Sequence, residues 1–311
     1  MRVAVVDIGT NSTRLLIAHV GADQAVTELH RESIVTRLGA RVDATGCLQE
    51  DAMQRVFDTL AGHRELIDEH GVTATTAVLT SAVRDAANGP DFTAIVRDRY
   101  GLDAHTISGA EEAALTFAGA TSERADDGRE LLVVDIGGGS TEFVIGRAGE
   151  VGFHVSTQAG VVRQTERHVD HDPPHADEID SLRREVGQII RASVPGERRR
   201  RVTHAIAVAG TATSCAAIEL GLDPYDRALV HGHVLRRPVI TGILEQLAHL
   251  TDAERRAVCG LQPDRAPTIV AGVAMLLEVL DAFGLDAVEV SEHDILRGAA
   301  LRLAGAAARA C

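Results

Sequence analysis

Asp135 and Glu142 stand on either side of Gly137, Gly138, Gly139, Ser140 and Thr141 within LLVVDIGGGSTEFVIG, residues 131–146. Apolar β-formers run into Asp135 and out from Phe143, so the spacing predicts a buried strand, a tight glycine turn and a second strand. Glycines without a Cβ let backbone N–H groups converge on an anion, and the two hydroxyls add donors. Two carboxylates beside an anion cradle oppose it unless a divalent cation sits between them. The loop therefore reads as a phosphate and Mg²⁺ site, with Asp135 and Glu142 on the metal. A Walker loop is excluded, because it needs Gly-Lys-Ser/Thr and the chain has no lysine. A dinucleotide fingerprint is excluded too, because its glycines open a helix and strand-forming Phe143-Val144-Ile145 follow here. An ordinary glycine hairpin turn is the remaining alternative.

The motif occurs twice. Val5-Val6-Asp7-Ile8-Gly9 repeats Val133-Val134-Asp135-Ile136-Gly137, Ser12-Thr13 repeats Ser140-Thr141, and Ile17 repeats Ile145, all at one offset. A duplicated hairpin with a phosphate loop in each copy implies two related domains facing one phosphate or nucleotide. That plan resembles the actin-like ATPase superfamily. The expected fold is α/β, with two actin-like (ribonuclease H-like) domains and the active site in the cleft between them. The stretch 121–130, TSERADDGRE, has Ala125 as its only apolar residue, so the domains are expected at 1–124 and 125–311.

The elements that must position these loops follow from periodicity. Residues 50–70 carry apolar residues at helical spacing up to Gly71, and 75–80 reads as a short buried strand. Ser81 to Asp85 reads as a polar loop, 90–100 as a helix ended by Gly101, and 104–107 as a strand. Ser108-Gly109-Ala110-Glu111 fits a capping box with Glu111 reaching back, on a helix running to about Ala120. Strands at 131–136, 141–146 and 151–156 open the second half. A helix at 177–194, a strand at 202–208 and helices at 211–220, 237–250 and 267–283 follow. A last strand at 287–290 leads through Ser291–Asp294, read as a cap, into the final helix.

The 311 residues suffice for two cores, and 45% hydrophobic content makes the chain globular. Aromatics are 3% with no Trp, which removes the stacking platforms of a single-strand nucleic-acid binder. A net charge of -14 excludes a protein that coats nucleic acid or an anionic membrane. Cys47, Cys215, Cys259 and Cys311 form no CxxC pair, which is reduced, cytoplasmic usage. No leader segment and no apolar run of membrane-spanning length is read.

Six stretches in this order resemble the exopolyphosphatase and guanosine pentaphosphate phosphohydrolase family. They are Asp7-Ile8-Gly9-Thr10-Asn11-Ser12, residues 80–85 (TSAVRD), residues 107–113 (ISGAEEA), residues 135–142, Gly210-Thr211-Ala212-Thr213, and residues 265–272 (RAPTIVAG). The resemblance spans residue 1 to about 303 and implies that the extra helical C-terminal region of longer members is absent. It implies that Glu112 is the base that activates water and that Asp135 and Glu142 bind Mg²⁺. It also implies a phosphate path along Thr10, Asn11, Ser12, Arg84, Gly137, Gly138, Gly139, Ser140, Thr141, Gly210 and Thr211. The implied substrates are inorganic polyphosphate or guanosine penta- or tetraphosphate, with no nucleic acid or membrane partner, and a homodimer is expected. Two positions depart from the family pattern, Gln164 and the polar turn Ser291-Glu292-His293-Asp294.

The chemistry stands beside the family. Phosphoanhydride hydrolysis needs an in-line water, a carboxylate to orient it and charge stabilisation on the equatorial oxygens. Two glycine turns, Mg²⁺ and bidentate Arg84 supply the last. Rival readings are an ATP-dependent small-molecule kinase, against which Glu112 counts, and a non-catalytic sensor of polyphosphate or the alarmone. His168, His171 and His175, split by Pro173-Pro174, read as a polar surface loop more readily than as a metal site. Arg198–Arg201 reads equally as a polyphosphate guide or a solvated face.

Overall fold

The computed structural model describes residues 1–125, 128–147 and 149–310, the last three by backbone alone. Asp126 and Asp127, within the polar boundary segment, and Cys311 lie outside the described residues. The chain divides into two compact units, Met1–Ser122 with Asp294–Cys311, and Glu123–His293.

In the first unit, VAVVDI and LLIA supply β-branched and aliphatic residues that a fully covered strand requires. The elements are β1 (Arg2–Ile8), β2 (Ser12–Val20), β3 (Val26–Val35), α1 (Val42–Thr45), α2 (Glu50–Glu69), β4 (Ala74–Leu79), α3 (Ser81–Asp85), α4 (Gly89–Tyr100), β5 (Ala104–Thr106) and α5 (Gly109–Thr121). The sheet order is β3-β2-β1-β4-β5. The β1–β2 and β2–β3 pairs are antiparallel, and the β1–β4 and β4–β5 pairs are parallel.

The second unit contains β6 (Leu131–Ile136), β7 (Thr141–Arg147), β8 (Glu150–Thr157), α6 (Val161–His168), α7 (Ala176–Ser193), α8 (Gly196–Arg201), β9 (His204–Val208), α9 (Ala209–Leu220), α10 (Arg227–Val230), β10 (Val234–Arg236), α11 (Arg237–Ala248), α12 (Asp252–Arg255), a 3₁₀ turn (Pro263–Arg265), α13 (Ala266–Phe283) and β11 (Ala287–Val290). Its sheet order is β10-β11-β9-β6-β7-β8. Apart from the edge strand β10, this is the order and direction of the first sheet, with β6, β7, β8, β9 and β11 in the places of β1, β2, β3, β4 and β5. The duplication seen in two hairpins thus extends to the whole sheet. Both units are α/β with the ribonuclease H-like strand order.

The last helix, α14 (Ile295–Ala310), was expected in the second domain and instead completes the first unit. Ile295, Leu296, Ala299, Ala300 and Ala304 form one buried cluster with Val3, Val5, Leu16, Val78, Ile107 and Leu115. The reason is close packing against α5. A Cβ on Gly119 would lie 1.9 Å from the Asp294 carbonyl oxygen, and one on Gly298 would lie 1.9 Å from that of Leu115. Only glycines let the two backbones meet at that spacing. On the other sheet face, α2 and α4 cover Ala4, Val6, Ile8, Leu15 and Ile17.

Three local expectations change. Ser81–Asp85 is a helix, because the Thr80 carbonyl accepts the N–H groups of Val83 and Arg84. Ser108 caps α5 by accepting the Glu111 N–H, but the box is not closed, since the Glu111 carboxylate pairs with Arg302. The helix at Pro263–Phe283 is long and apolar enough to cross a membrane, yet 78% of its apolar window is buried within the protein. It is the central helix of the second unit's core, flanked by α6, α7, α9 and α11.

Candidate active site

In the first unit, the segments after β1, β4 and β5 leave the carboxyl ends of three adjacent parallel strands, where open α/β sheets bind ligands. Backbone bonds hold them in step: the Thr80 N–H donates to Ile8, and the Ile107 N–H donates to Leu79. The first segment carries Thr10, Asn11 and Ser12, the second Arg84, the third Glu112. Gly9 closes the hairpin by donating to the Ser12 carbonyl at 2.9 Å. The Thr10 and Asn11 carbonyls accept from Gly39, and from Thr36 and Arg37. Arg37 and Arg41 adopt left-handed backbone, with φ of 51° and 60°, a strained conformation concentrated beside functional loops.

Glu112 is buried, with 7% of the residue exposed, in the first turn of α5. There the helix N-terminus favours a carboxylate. Arg84 reaches it at 3.1 Å and donates also to the Ile107 carbonyl at 2.9 Å. One guanidinium therefore fixes the carboxylate against the strand end that precedes its helix. Glu111, its neighbour, faces outward to Arg302. Arg84 also lines an open cavity of about 490 Å³ with Pro90, Thr93, Arg97, His105 and Thr106.

In the second unit, Asp135 and Glu142 are direct partners across β6 and β7, hence on one face of the sheet, and they are 7% and 1% exposed. Like charges in that position destabilise a sheet. The Ser156 hydroxyl donates to Glu142 at 2.7 Å. A buried pair of hard oxygen donors suits Mg²⁺. Gly137 closes its turn on the Ser140 carbonyl at 3.0 Å, the same bond made by Gly9.

The turn's carbonyls are taken by α6. Val161 donates to Gly137, Val162 to Gly138, and the Arg163 side chain to Gly139 at 3.0 Å. Gly160 carries no side chain because a Cβ would lie 2.3 Å from the Gly138 oxygen. Among the described residues the N–H groups of Gly138 and Gly139 have no backbone acceptor. Ser140 and Thr141 are buried, Thr141 donating to the Ala159 carbonyl. Thr141 thus serves the hairpin's packing.

Gly210 and Thr211 follow β9, next to β6. Ala209 has φ of 66°, a strained turn that starts α9. A Cβ on Gly210 would lie 1.5 Å from an Arg265 guanidinium nitrogen. Arg265 thus lies across the loop at Gly210 with the flexible end of its side chain. Arg265 is a residue the sequence reading does not place in the site; the signal for it is its place in the RAPTIVAG stretch. Burial pulls the Arg163 guanidinium below its usual range.

Part of the arginine run has partners inside the second unit, although 63% of the Arg201 side chain is exposed. Arg201 pairs with Glu130 at 2.9 Å, and Arg199 donates to the Val194 and Ala282 carbonyls. His168 pairs with Glu185, while His171 and His175 frame the capped start of α7 with Glu178. Desolvation opposes ionisation of Glu178, but hydrogen bonds from His171 and the N–H groups of His175 and Asp170 hold its carboxyl down at about 2. Gln164 is fully buried and Asp294 caps α14, so both departures from the family pattern serve the fold.

A family model, the Ppx/GppA phosphatase family, matches residues 16–304. The chain belongs to the Ppx/GppA phosphatase family. Exopolyphosphatase 2 of Mycobacterium tuberculosis is 39% identical over 319 residues, covering 98% of this chain and 99% of that relative. The crystal structure of the Aquifex aeolicus Ppx/GppA family member matches with a TM-score of 0.81 at 31% identity, covering 99% of this chain and 98% of that one. An exopolyphosphatase from Cytophaga hutchinsonii matches with a TM-score of 0.88 at 29% identity, covering 98% of each. Membership makes this Ppx/GppA protein a hydrolytic phosphatase with two ribonuclease H-like units.

Proposed function

We propose that this protein is an exopolyphosphatase that removes the terminal phosphate of inorganic polyphosphate with a water activated by Glu112. The observation that carries the reading is the contact of partly buried Arg84 with buried Glu112 at the carboxyl ends of β4 and β5. A carboxylate fixed there orients a water and accepts its proton, in the manner of the acidic residue of a phosphoryl-transfer site. Arg84 keeps a second face of its guanidinium for a phosphate oxygen. The N–H groups of Gly138 and Gly139, the hydroxyls of Ser12 and Ser140, and Thr10, Asn11, Gly137, Gly210 and Thr211 form the phosphate path. Thr141 orders the turn. Mg²⁺ held by Asp135 and Glu142 neutralises phosphate charge when bound.

Short chains are the expected substrates. The net charge of -14 gives no general attraction for a polymer, and Arg199 and Arg201 are engaged within the fold. Phosphate release should be measured on a polyphosphate length series and on guanosine pentaphosphate and ATP, each with and without Mg²⁺. kcat/KM should be highest for short chains, fall at higher salt and collapse in chelator. A steady rise with length into hundreds of phosphates, or full activity in chelator, would overturn the respective part.

One feature supports a second reading, hydrolysis of guanosine pentaphosphate. The cavity beside Arg84, about 490 Å³ with Arg97 and His105 in its wall, is in the size range of small-molecule sites. The same assay separates the two substrates.

A further inference from the structure

The acidic pair of the second unit has a third member beside it. Asp135 on β6 faces Glu142 on β7, and Glu142 faces Ser156 on β8, so the three form a row on one face of the sheet. The Ser156 hydroxyl donates to Glu142 Oε1 at 2.7 Å, within the range of a hydroxyl bonded to a charged acceptor.

The first unit carries the same row with its centre exchanged. Asp7 on β1 faces Arg14 on β2, and Arg14 faces Ser33 on β3. Arg14 sends its guanidinium to Asp7 and Asp294, and the buried Ser33 oxygen has no hydrogen-bond partner. The two serines hold equivalent places in equivalent sheets. Strand pairing alone therefore gives such a serine nothing to bind; the carboxylate at Glu142 does.

A glutamate carboxylate turns about a broad, soft terminal torsion. Mg²⁺ demands near-ideal octahedral geometry, so it penalises a ligand whose oxygens are aimed loosely. Glu142 is 1% exposed, and a hydrogen bond to one of its oxygens sets the plane of the group and the direction in which its lone pairs point.

We propose that Ser156 is a positioning residue for the cation site, its hydroxyl fixing Glu142 so that Glu142 and Asp135 present their oxygens to one Mg²⁺. The inference rests on the reading of Asp135 and Glu142 as metal ligands, and Ser156 acts through Glu142. Ser33 is the internal control, the same residue in the same row with an arginine where the carboxylate stands.

The test measures cation binding directly, on the full chain without substrate. Mn²⁺, which shares the octahedral oxygen preference of Mg²⁺, is titrated with the electron paramagnetic resonance signal of the free ion as readout, and Mg²⁺ by competition. Ser156→Ala should weaken both ions by about 10–100-fold, the usual cost of losing an outer-shell partner. Ser156→Thr keeps the hydroxyl and should bind as the wild type does, and so should Ser33→Ala. A thermal melt accompanies each variant, because a purely structural serine would lower the melting temperature and leave the affinity of the folded protein unchanged. Glu142→Gln separates this inference from the reading beneath it. Loss of Mn²⁺ in Glu142→Gln with wild-type affinity in Ser156→Ala would overturn the positioning role and leave the metal reading standing. Wild-type behaviour in Glu142→Gln would remove the metal reading, and this inference with it. Equal weakening in Ser156→Ala and Ser156→Thr would also overturn the proposal, since the hydroxyl would not be the cause.

Discussion

The hairpins β1–β2 and β6–β7 share their register, their four-residue turn and the glycine bond that closes it, yet differ at one charged position. Opposite Asp7 stands Arg14; opposite Asp135 stands Glu142. In the first hairpin Arg14 donates to Asp7 at 2.8 Å and pairs also with Asp294, which Arg31 approaches at 3.0 Å. Burial pushes the Asp7 carboxyl above its usual range, against the pull of the Arg14 guanidinium. In the second hairpin two carboxylates face each other. The same loop is a neutralised structural joint in one unit and an acidic pair suited to a cation in the other. We propose that labour is divided between the two hairpins by the charge that stands opposite the aspartate.

If labour is divided in this way, the largest effect belongs to the carboxylate of the first unit that Arg84 holds. Glu112→Gln is expected to lower kcat by about 10²–10⁴-fold with KM little changed. Glu111→Gln should leave kcat near wild type. Steady-state kinetics on both variants checks this, and near-normal turnover in Glu112→Gln would remove Glu112 from the chemistry.

Next in size is an exchange that rebuilds the first hairpin inside the second. Glu142→Arg should pair with Asp135 as Arg14 does with Asp7, keep the fold, and abolish Mg²⁺ stimulation with about 10²-fold lower kcat. Glu142→Gln should weaken Mg²⁺ dependence without supplying the new pair. A Mg²⁺ titration of activity, beside a thermal melt, distinguishes loss of metal from loss of fold. Unchanged Mg²⁺ dependence in both would make the acidic pair structural.

The smallest effect on turnover, and the largest on stability, should come from Arg14→Gln. It leaves Asp7 and Asp294 buried without that guanidinium, and breaking such a pair costs about 3–5 kcal/mol. Denaturant midpoints measure it. A shift under about 1 kcal/mol would mean that the Asp7–Arg14 joint is no stronger than an exposed ion pair.

Much of this contrast was legible from residue order alone. Repeated Asp-Ile-Gly within matching apolar runs located both hairpins, and Ser108 located the helix start that buries Glu112. What escaped was non-local. Nothing near Ile295 announces that α14 joins β1 and α5, because the glycines that permit it, Gly119 and Gly298, are far apart in the chain. The edge strand β3 reads VTELHRESIV, and its Arg31 meets Asp294, a partner 263 residues away in the chain. Glu111 satisfied the capping-box pattern, but Arg302 competes for its carboxylate. The neighbour of Gly210 is equally remote, since Arg265 lies across its loop.

The return of α14 also has a consequence for how the chain matures. The second unit is one uninterrupted run, Glu123–His293, inserted into a first unit whose final helix is encoded last. On the ribosome, β1 and β2 emerge first, yet one face of their sheet waits for Ile295 to Ala304 before it can be covered. The later-encoded unit has its whole sequence available earlier, so it can close before the first unit does, against the usual N-terminal-first order. A nascent chain arrested before residue 295 would carry a closed second unit and a first unit with a bare apolar sheet face.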